Sequence, residues 1–532
     1  MKRIGLTFFL VLTLTLILST QASAEEIRVR IRSARLENEV FSLSSDDGMD
    51  LYYHLDGQDR LLMPLNTQNL FVRINGYYSS HENFRYYPQE GLSTNIGPYS
   101  VRLTDYQETK HEEIVKLQQA LKDQHQINTY IYTNGRRFEL WAGQFVSLQE
   151  ARSFRDRLMS QHGIQSTVND RPEVIYLYNS QNQIVACLEN NYRFFVYNSN
   201  NDNNFLRIDS KPYRGSVGFY IIDGFRLLSI NKVDVEAYLK GVVASEMPAS
   251  WPLEALKVQA ITARSYALSL IDPNYSAPYD AQDNQNSQVY NGIWGEREST
   301  NLAVESTRGQ LIYYNNRVIA AYYHSTSGGM TDNSENVWHH PLPYIRGVDD
   351  PYSNISPYTE WDRILSEEQI IESLRENGYQ VNQIFDIYEK SRSEFERVLE
   401  LVILTDQGEI TLHKEGARRV IGYSRLISTW YTFHGNHQAT LLTASGEESS
   451  ILGGKQVLTS QGQKQIMYKD NQTVLTASGL KTLPTSSDTY HVHGRGFGHG
   501  LGLSQYGARG MAEQGYNYIQ IIQYYYTGVE VR

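Results

Sequence analysis

The chain has 532 residues, 48 Lys and Arg against 59 Asp and Glu, a net charge of −11, and one cysteine, Cys187. This balance argues against a nucleic-acid partner, whose phosphates need concentrated Lys and Arg, and a single cysteine excludes an intramolecular disulfide or a cysteine-built zinc cluster. The 40 tyrosines against 17 phenylalanines supply rings with a polar tip, suited to sugar faces and equally to exposed strands, and the length leaves room for two or three domains.

Met1 to Ala24 contains Lys2 and Arg3, the apolar run Ile4 to Leu18, and Ala22-Ser23-Ala24 as a small-x-small cleavage site. These are the three parts of an export signal. The run is shorter than the about 20 residues of a spanning helix, so the expectation is a signal peptide at 1–24 and a secreted, extracytoplasmic chain, with an uncleaved anchor as the alternative. From Ile27 to Ile96 apolar and polar residues alternate, broken by Asp46-Asp47-Gly48 and Asn75-Gly76, which reads as a β segment over 25–96.

The pattern then changes. Tyr99 to Leu103 reads as a strand, Ile114, Leu117 and Leu121 fall at helical spacing, and Ile127 to Tyr132 and Phe138 to Trp141 flank Asn134-Gly135, a two-residue hairpin signal. Ser147 and Glu150 form a capping box for a helix with Ala151, Phe154, Leu158 and Met159 on one face; His162-Gly163 ends it and Ile164 to Val168 is the last strand. The order βαββαβ is that of a ferredoxin-like module. Phe138 to Phe145, followed by the capped helix and His162-Gly163, is similar to the SPOR domain, and the resemblance implies a glycan-binding module over 97–170 that takes strands stripped of their peptides.

From Pro172 to Val233 strands resume. Val235 to Val243 reads as a helix and Pro252 to Leu270 as a longer one, with Pro252 in the first turn. Strands are expected from Ser287 through Tyr323, a helix over Ser366 to Asn377, and a hairpin of Val398 to Thr405 with Glu409 to Leu412 over Gln407-Gly408. Residues 437–480 hold weakly similar strand-turn units, read as a β insertion in the C-terminal half and not a solenoid, which needs three or more stacked repeats. The fold class expected is α+β: a mixed, β-rich catalytic domain over 171–532 with a few helices, the βαββαβ module and the β insertion.

The densest cluster of chemistry is Tyr238 to Pro248 followed by Trp251 to Ala267. Glu246 is expected in the linker between two helices, beside Met247 and Trp251, where partial desolvation raises a carboxyl pKa and keeps a proton available near neutral pH. The glycine run Gly494 to Gly507 is too rich in glycine for a regular element and reads as a loop presenting His499, Gln505 and Tyr506. It lacks Gly-Lys-Ser/Thr, so nucleotide binding is a poor reading. Ser325 and Ser327 beside His324 are too close in sequence for a triad, and no nucleophile elbow accompanies them. His324, His339, His340 and His499 are candidate ligands; the expectation is no metal and no cofactor.

Three stretches, in order, carry a resemblance to a known family: Tyr238 to Ala267; His324-Ser325-Thr326-Ser327-Gly328-Gly329 with Val337-Trp338 and Pro343-Tyr344; and Gly494 to Ala508 with Tyr525 to Val529. Gly416-Ala417-Arg418 with Leu426 to Trp430 adds a fourth. Together they resemble the SpoIID/LytB family across 205–532. The resemblance implies a peptidoglycan lytic transglycosylase acting in wall remodelling or sporulation, Glu246 as catalytic acid and base, and Arg264, His324, Ser325, Ser327, His499, Gln505 and Tyr506 as substrate-binding residues. Glycan strands are then the partner. The alternative is a non-catalytic enhancer of a cell-wall amidase, as LytB-type relatives are thought to be. Some members hold zinc through two cysteines, and here Ala281 and Ser287 stand at the matching positions.

Overall fold

A computed structural model describes residues 25–532 apart from 32–39, 81–84, 88, 92, 201–204, 339, 435–437, 444–445, 452–455, 460–461, 466–471, 477–478 and 484–488. The expected signal at 1–24 and the candidate ligand His339 lie outside the described residues. The fold is mixed α and β. Two sheets carry the N-terminal half. One has seven strands, in the spatial order Ala281–Gln282, Glu26–Ile31, Arg226–Asp234, Ser216–Ile222, Phe194–Asn198, Met49–Leu55, Gln58–Pro64; the other has ten.

Alternation along these strands decides which face is apolar. Val29, Leu51 and Val196 from the first sheet share a core with Val72, Leu140 and Leu177 from the second. Four strands of the ten-stranded sheet form the expected βαββαβ unit with helices α1 (His111–His125) and α2 (Leu148–His162), and they lie in the order Ser166–Asp170, Tyr99–Glu108, Phe138–Phe145, Tyr130–Thr133. That is the 4-1-3-2 arrangement of a ferredoxin-like unit. Its outer strand Tyr130–Thr133 pairs in parallel with Ile184–Glu189, so the sheet runs on past residue 170. On the face away from the helices Trp141 stacks on Tyr132 at 4.2 Å, in a cluster that also takes Tyr130, Tyr176 and Tyr178.

Local chemistry sets the ends of these helices. Ser147 caps α2 by accepting from the Glu150 N–H, while the Glu150 carboxylate returns to Val146 N–H, one residue short of a closed capping box, and Gly163 ends the helix with φ +69°. The turn at Asn134-Gly135 is longer than two residues: Thr133 pairs with Phe138, because the Asn134 amide oxygen accepts from both Arg136 and Arg137 N–H and wraps the chain once more.

Helix α3 runs Val235–Glu246 and α4 runs Leu253–Leu270. The sequence reading ended α3 at Val243; it continues one turn further, to the last position that Pro248 permits, and Glu246 is its final residue and not part of a linker. Where strands were expected after Ser287, Glu298–Ser306 is a helix, buried only at Thr300, Ala303 and Val304. Helix α4 is buried on nearly every side, since α3, Glu298–Ser306, Gln505–Glu513 and Tyr518–Tyr525 all pack against it.

In the C-terminal half, Glu360–Ser366, Thr489–Arg495 and Trp430–His434 form one sheet and Ile384–Arg392, Val398–Thr405 and Gly408–His413 another. The helix Glu367–Glu376 begins with a closed capping box between Ser366 and Gln369. In the expected insertion, Gln438–Thr443 pairs with Gly446–Ile451, Gln456–Thr459 with Gly462–Gln465, and Gln472–Thr476 with Gly479–Leu483, three separate hairpins. Among the described residues no helix is long and apolar enough to cross a membrane.

Candidate functional site

Glu246 is half-buried at the C-terminus of α3. One carboxylate oxygen, Oε1, accepts the Val289 backbone N–H at 2.8 Å, and Oε2 accepts the Gln505 amide at a long 3.5 Å. The Tyr323 hydroxyl lies nearby. Burial pushes the carboxyl above its ordinary value, and the Val289 and Gln505 bonds with the nearby Tyr323 hydroxyl pull it partway back; the negative end of the helix dipole acts with burial, favouring the neutral acid. Among the described residues Glu246 is in no ion pair. It is therefore a carboxyl held by neutral donors, able to release and regain a proton.

Each of these groups is itself fixed. Gln505 opens the helix Gln505–Glu513 behind the Ser504 cap, and its amide also reaches Gln259 Oε1 on α4 at 3.3 Å. Tyr323 lies on the two-residue strand Tyr323–His324, paired in parallel with Leu503–Ser504. This pairing brings residues 323 and 505 to the same acid. The Tyr506 N–H donates to the Ser325 carbonyl at 3.0 Å, and the Tyr506 ring meets Trp251 edge-on at 4.9 Å. Ser325, Gln505, Tyr506 and Trp251 are thus gathered near Glu246.

The other residues named from the sequence are engaged elsewhere. The Arg264 guanidinium, 2% exposed, forks onto Glu236 with two 2.8 Å bonds and donates to the carbonyls of Gln310 and Val304. Ser327 donates to Asp350 at 2.6 Å and is buried. His324 follows Tyr323 on its strand and so faces the other way; its Nδ1 lies 3.1 Å from the Leu501 carbonyl, leaving Nε2 without a protein partner. His499 accepts the Leu501 N–H at Nδ1 and packs 5.5 Å from His324. Burial pushes His499 down to about 3 and His324 well below its ordinary value, so both are neutral.

The glycine run is needed for this packing. Gly498, at φ +109°, would set a Cβ 2.8 Å from His324 Cβ, and Gly500, at φ +82°, would set one 2.2 Å from the Arg397 guanidinium carbon. Arg397, fully buried, donates to the carbonyls of Ser327 and Met330, tying the segment after Tyr323 to the glycine run.

Sequence reasoning gave no role in the site to Tyr323, Val289, Gln288 or Gln259. The polar run Gln288-Val289-Tyr290 was a signal for two of them, and Tyr323 adjoins the noticed His324. Ser287, one of the two positions that the resemblance matches to zinc-holding cysteines, accepts the Gln282 N–H at 3.1 Å, and Ala281 is buried.

Residues 224–314, which contain Glu246 and its partner Val289, match the family model described as SpoIID, stage II sporulation protein. An uncharacterized protein of Brachyspira hyodysenteriae is 26% identical over 392 residues, 69% of this chain and 89% of that protein. The amidase enhancer of Bacillus subtilis is 29% identical over 330 residues, 61% of this chain but only 44% of that protein. Stage II sporulation protein D of Bacillus subtilis is 30% identical over 320 residues, 57% of this chain and 76% of that protein. A match of that identity, spread over three quarters of the sporulation protein, shows that the chain belongs to the SpoIID family.

Proposed function

We propose that this chain is a peptidoglycan lytic transglycosylase that cleaves the MurNAc–GlcNAc bond, with Glu246 as both acid and base. The supporting observation is one carboxyl with a raised pKa, bonded to Val289 and Gln505, neither of them acidic. A hydrolytic glycosidase needs a second carboxylate for its water or nucleophile; the intramolecular reaction does not. Glu246 gives its proton to the glycosidic oxygen as the C1–O bond breaks. The muramic acid O6 hydroxyl then closes onto C1 and returns its proton to the Glu246 carboxylate, leaving a 1,6-anhydro end with no water consumed.

In this reading Ser325, Gln505 and Tyr506 contact the sugars, and Arg264, Ser327, His324 and His499 hold the loops that present them. The names of the relatives support a place in sporulation or cell-wall remodelling. Residues 1–24 export the chain, and the βαββαβ unit adds SPOR-like affinity for peptide-stripped glycan. The whole protein should then sediment more with stripped than with intact sacculi; equal binding would remove that part of the reading.

The deciding experiment digests peptide-stripped glycan with pure protein and identifies the soluble fragments by mass spectrometry. Saccharides ending in 1,6-anhydroMurNAc are expected from the wild type and not from Glu246→Gln. The amidase-enhancer relative favours a second reading, and stimulation of an N-acetylmuramoyl-L-alanine amidase without anhydro products would put it in first place.

A further inference from the structure

Of the six tryptophans, Trp294 alone is exposed, at 60%, and it is held out on a fixed turn. Its 3-10 helix, Gly292–Gly295, lies against the face of α3 that carries Gly241 and Ser245. A Cβ at Gly295 would fall 2.6 Å from the Gly241 carbonyl oxygen, and one at Gly292 would fall 2.5 Å from that of Pro212. Both flanks of the turn are tied down. Asn291 donates its amide to Ser245 Oγ at 3.0 Å and accepts the Lys211 ammonium at 3.1 Å, and the Arg297 guanidinium donates to the Trp294 and Glu296 carbonyls at 2.9 and 2.7 Å. The backbone is pinned while the indole stays exposed, the reverse of what folding alone favours for so large a ring.

The turn is continuous with the segment that serves Glu246. Val289 donates to Glu246 Oε1 at 2.8 Å, and Asn291, two residues on, reaches the neighbouring Ser245. Three more residues of 3-10 helix advance about 6 Å, which places the Trp294 backbone within about 15 Å of Glu246, a span that a few linked sugars cover. The charge around the ring is largely positive. Arg297 is exposed and, among the described residues, joins no ion pair, and Lys211 is a second cation. Glu296 is taken up by Arg214 at 2.6 and 3.0 Å, leaving Glu298, in the first turn of the next helix, as the remaining carboxylate.

We propose that Trp294 and Arg297 form a subsite for the glycan strand. The indole stacks on the apolar face of a sugar ring, and the guanidinium pairs with the lactyl carboxylate that a muramic acid exposes once its peptide is removed. The ring supplies affinity for any sugar of the strand, whereas Arg297 distinguishes a free lactyl carboxylate from one capped by an amide bond. Neither residue touches the bond that breaks. The subsite rests on the reading of this chain as a glycan-cleaving enzyme, and binding to the Glu246→Gln protein tests it apart from cleavage.

The probes are soluble glycan strands stripped of peptide, and chitooligosaccharides, which have the sugar backbone without the lactyl group. In the Glu246→Gln protein both should move tryptophan emission to the blue and shield it from iodide, and adding Trp294→Phe should remove that response. Adding Arg297→Gln should raise the half-saturating concentration of stripped strands about two- to fivefold, as expected of an exposed ion pair, and leave that of chitooligosaccharides unchanged; Arg297→Lys should restore most of the difference. In the cleaving protein, Trp294→Ala should raise KM about tenfold with kcat within about twofold, the pattern of binding shared by ground and transition states. Leu302→Ala, which removes another exposed apolar side chain on the next helix, should change neither. Emission that the strands do not move, or a KM in Trp294→Ala equal to wild type, would overturn the proposal. Loss of amidase stimulation in Trp294→Ala with glycan binding intact would also overturn it and give the ring to a protein partner. A Trp294 response in a protein that releases no anhydro ends would leave the subsite standing and remove the transglycosylase reading.

Discussion

Helix α3 carries two glutamates about 15 Å apart that have been put to opposite uses. Glu236, in the first turn, receives a bidentate Arg264 and the Gly309 N–H, and its side chain is 12% exposed. Glu246, the last residue, pairs with no cation among the described residues and accepts from two neutral donors. At the N-terminus the dipole favours the charge and at the C-terminus it opposes it. One carboxylate is locked by a charge pair. The other is free of a charge pair and has its neutral form favoured by burial, the direction that acid/base chemistry requires.

The largest effect that separates them is on turnover. Glu246→Gln keeps shape and accepts the same Val289 N–H but has no proton to give, so release of anhydroMurNAc-ended saccharides should fall about 10²–10⁴-fold with the thermal midpoint nearly unchanged. Glu236→Gln should show the reverse: it strands a buried guanidinium and should cost about 3–5 kcal/mol of stability by denaturant titration, with turnover per folded molecule retained. A stable but inactive Glu236→Gln would bring Arg264 back into the chemistry.

Asp386 sharpens the contrast with a buried carboxyl that has no role in the site. It accepts the Ile387 N–H through Oδ1, while Oδ2 has no partner, and burial pushes it up to about 7. The folded state then keeps its proton to about pH 7, whereas the unfolded chain releases it near 3.8. Its contribution is full below pH 4 and is lost as pH rises toward 7, a swing on the order of 4 kcal/mol. Asp386→Asn should flatten that slope in melts taken across pH 4–8.

The smallest expected effect is at Glu254, near Glu246 in sequence but bonded to the Tyr518 N–H and paired with Lys257 at 2.8 Å. Glu254→Gln should lower stability by about 0.3–1 kcal/mol and keep strand cleavage. Loss of cleavage there, with Glu246→Gln active, would move the acid to Glu254.

The features legible in the sequence are those a few neighbouring residues decide. Ser147 and Gly163 bound α2, and Ser366 caps its helix with Gln369. The helix Glu298–Ser306 was missed because its apolar face is so short, and the end of α3 because Glu246 belongs both to the helical turn and to the run into Pro248. Glu246 itself could be picked out from the sequence, and the family resemblance with it. Its environment could not: its donors Val289 and Gln505 lie 43 and 259 positions away.

The assignments made to Arg264 and His324 show the same limit from the other side. Both are polar and sit in dense motifs, yet Arg264 is consumed by Glu236 and His324 turns away from Tyr323's side of its strand. By itself the sequence determined the α+β class and the βαββαβ order, because periodicity and capping act over a few residues, and Glu246 was singled out by the family resemblance of its motif. Only the tertiary structure decided which polar groups donate to that glutamate and which brace the loops around it, because a hydrogen bond is set by distance and direction between atoms that the chain brings together only when it folds.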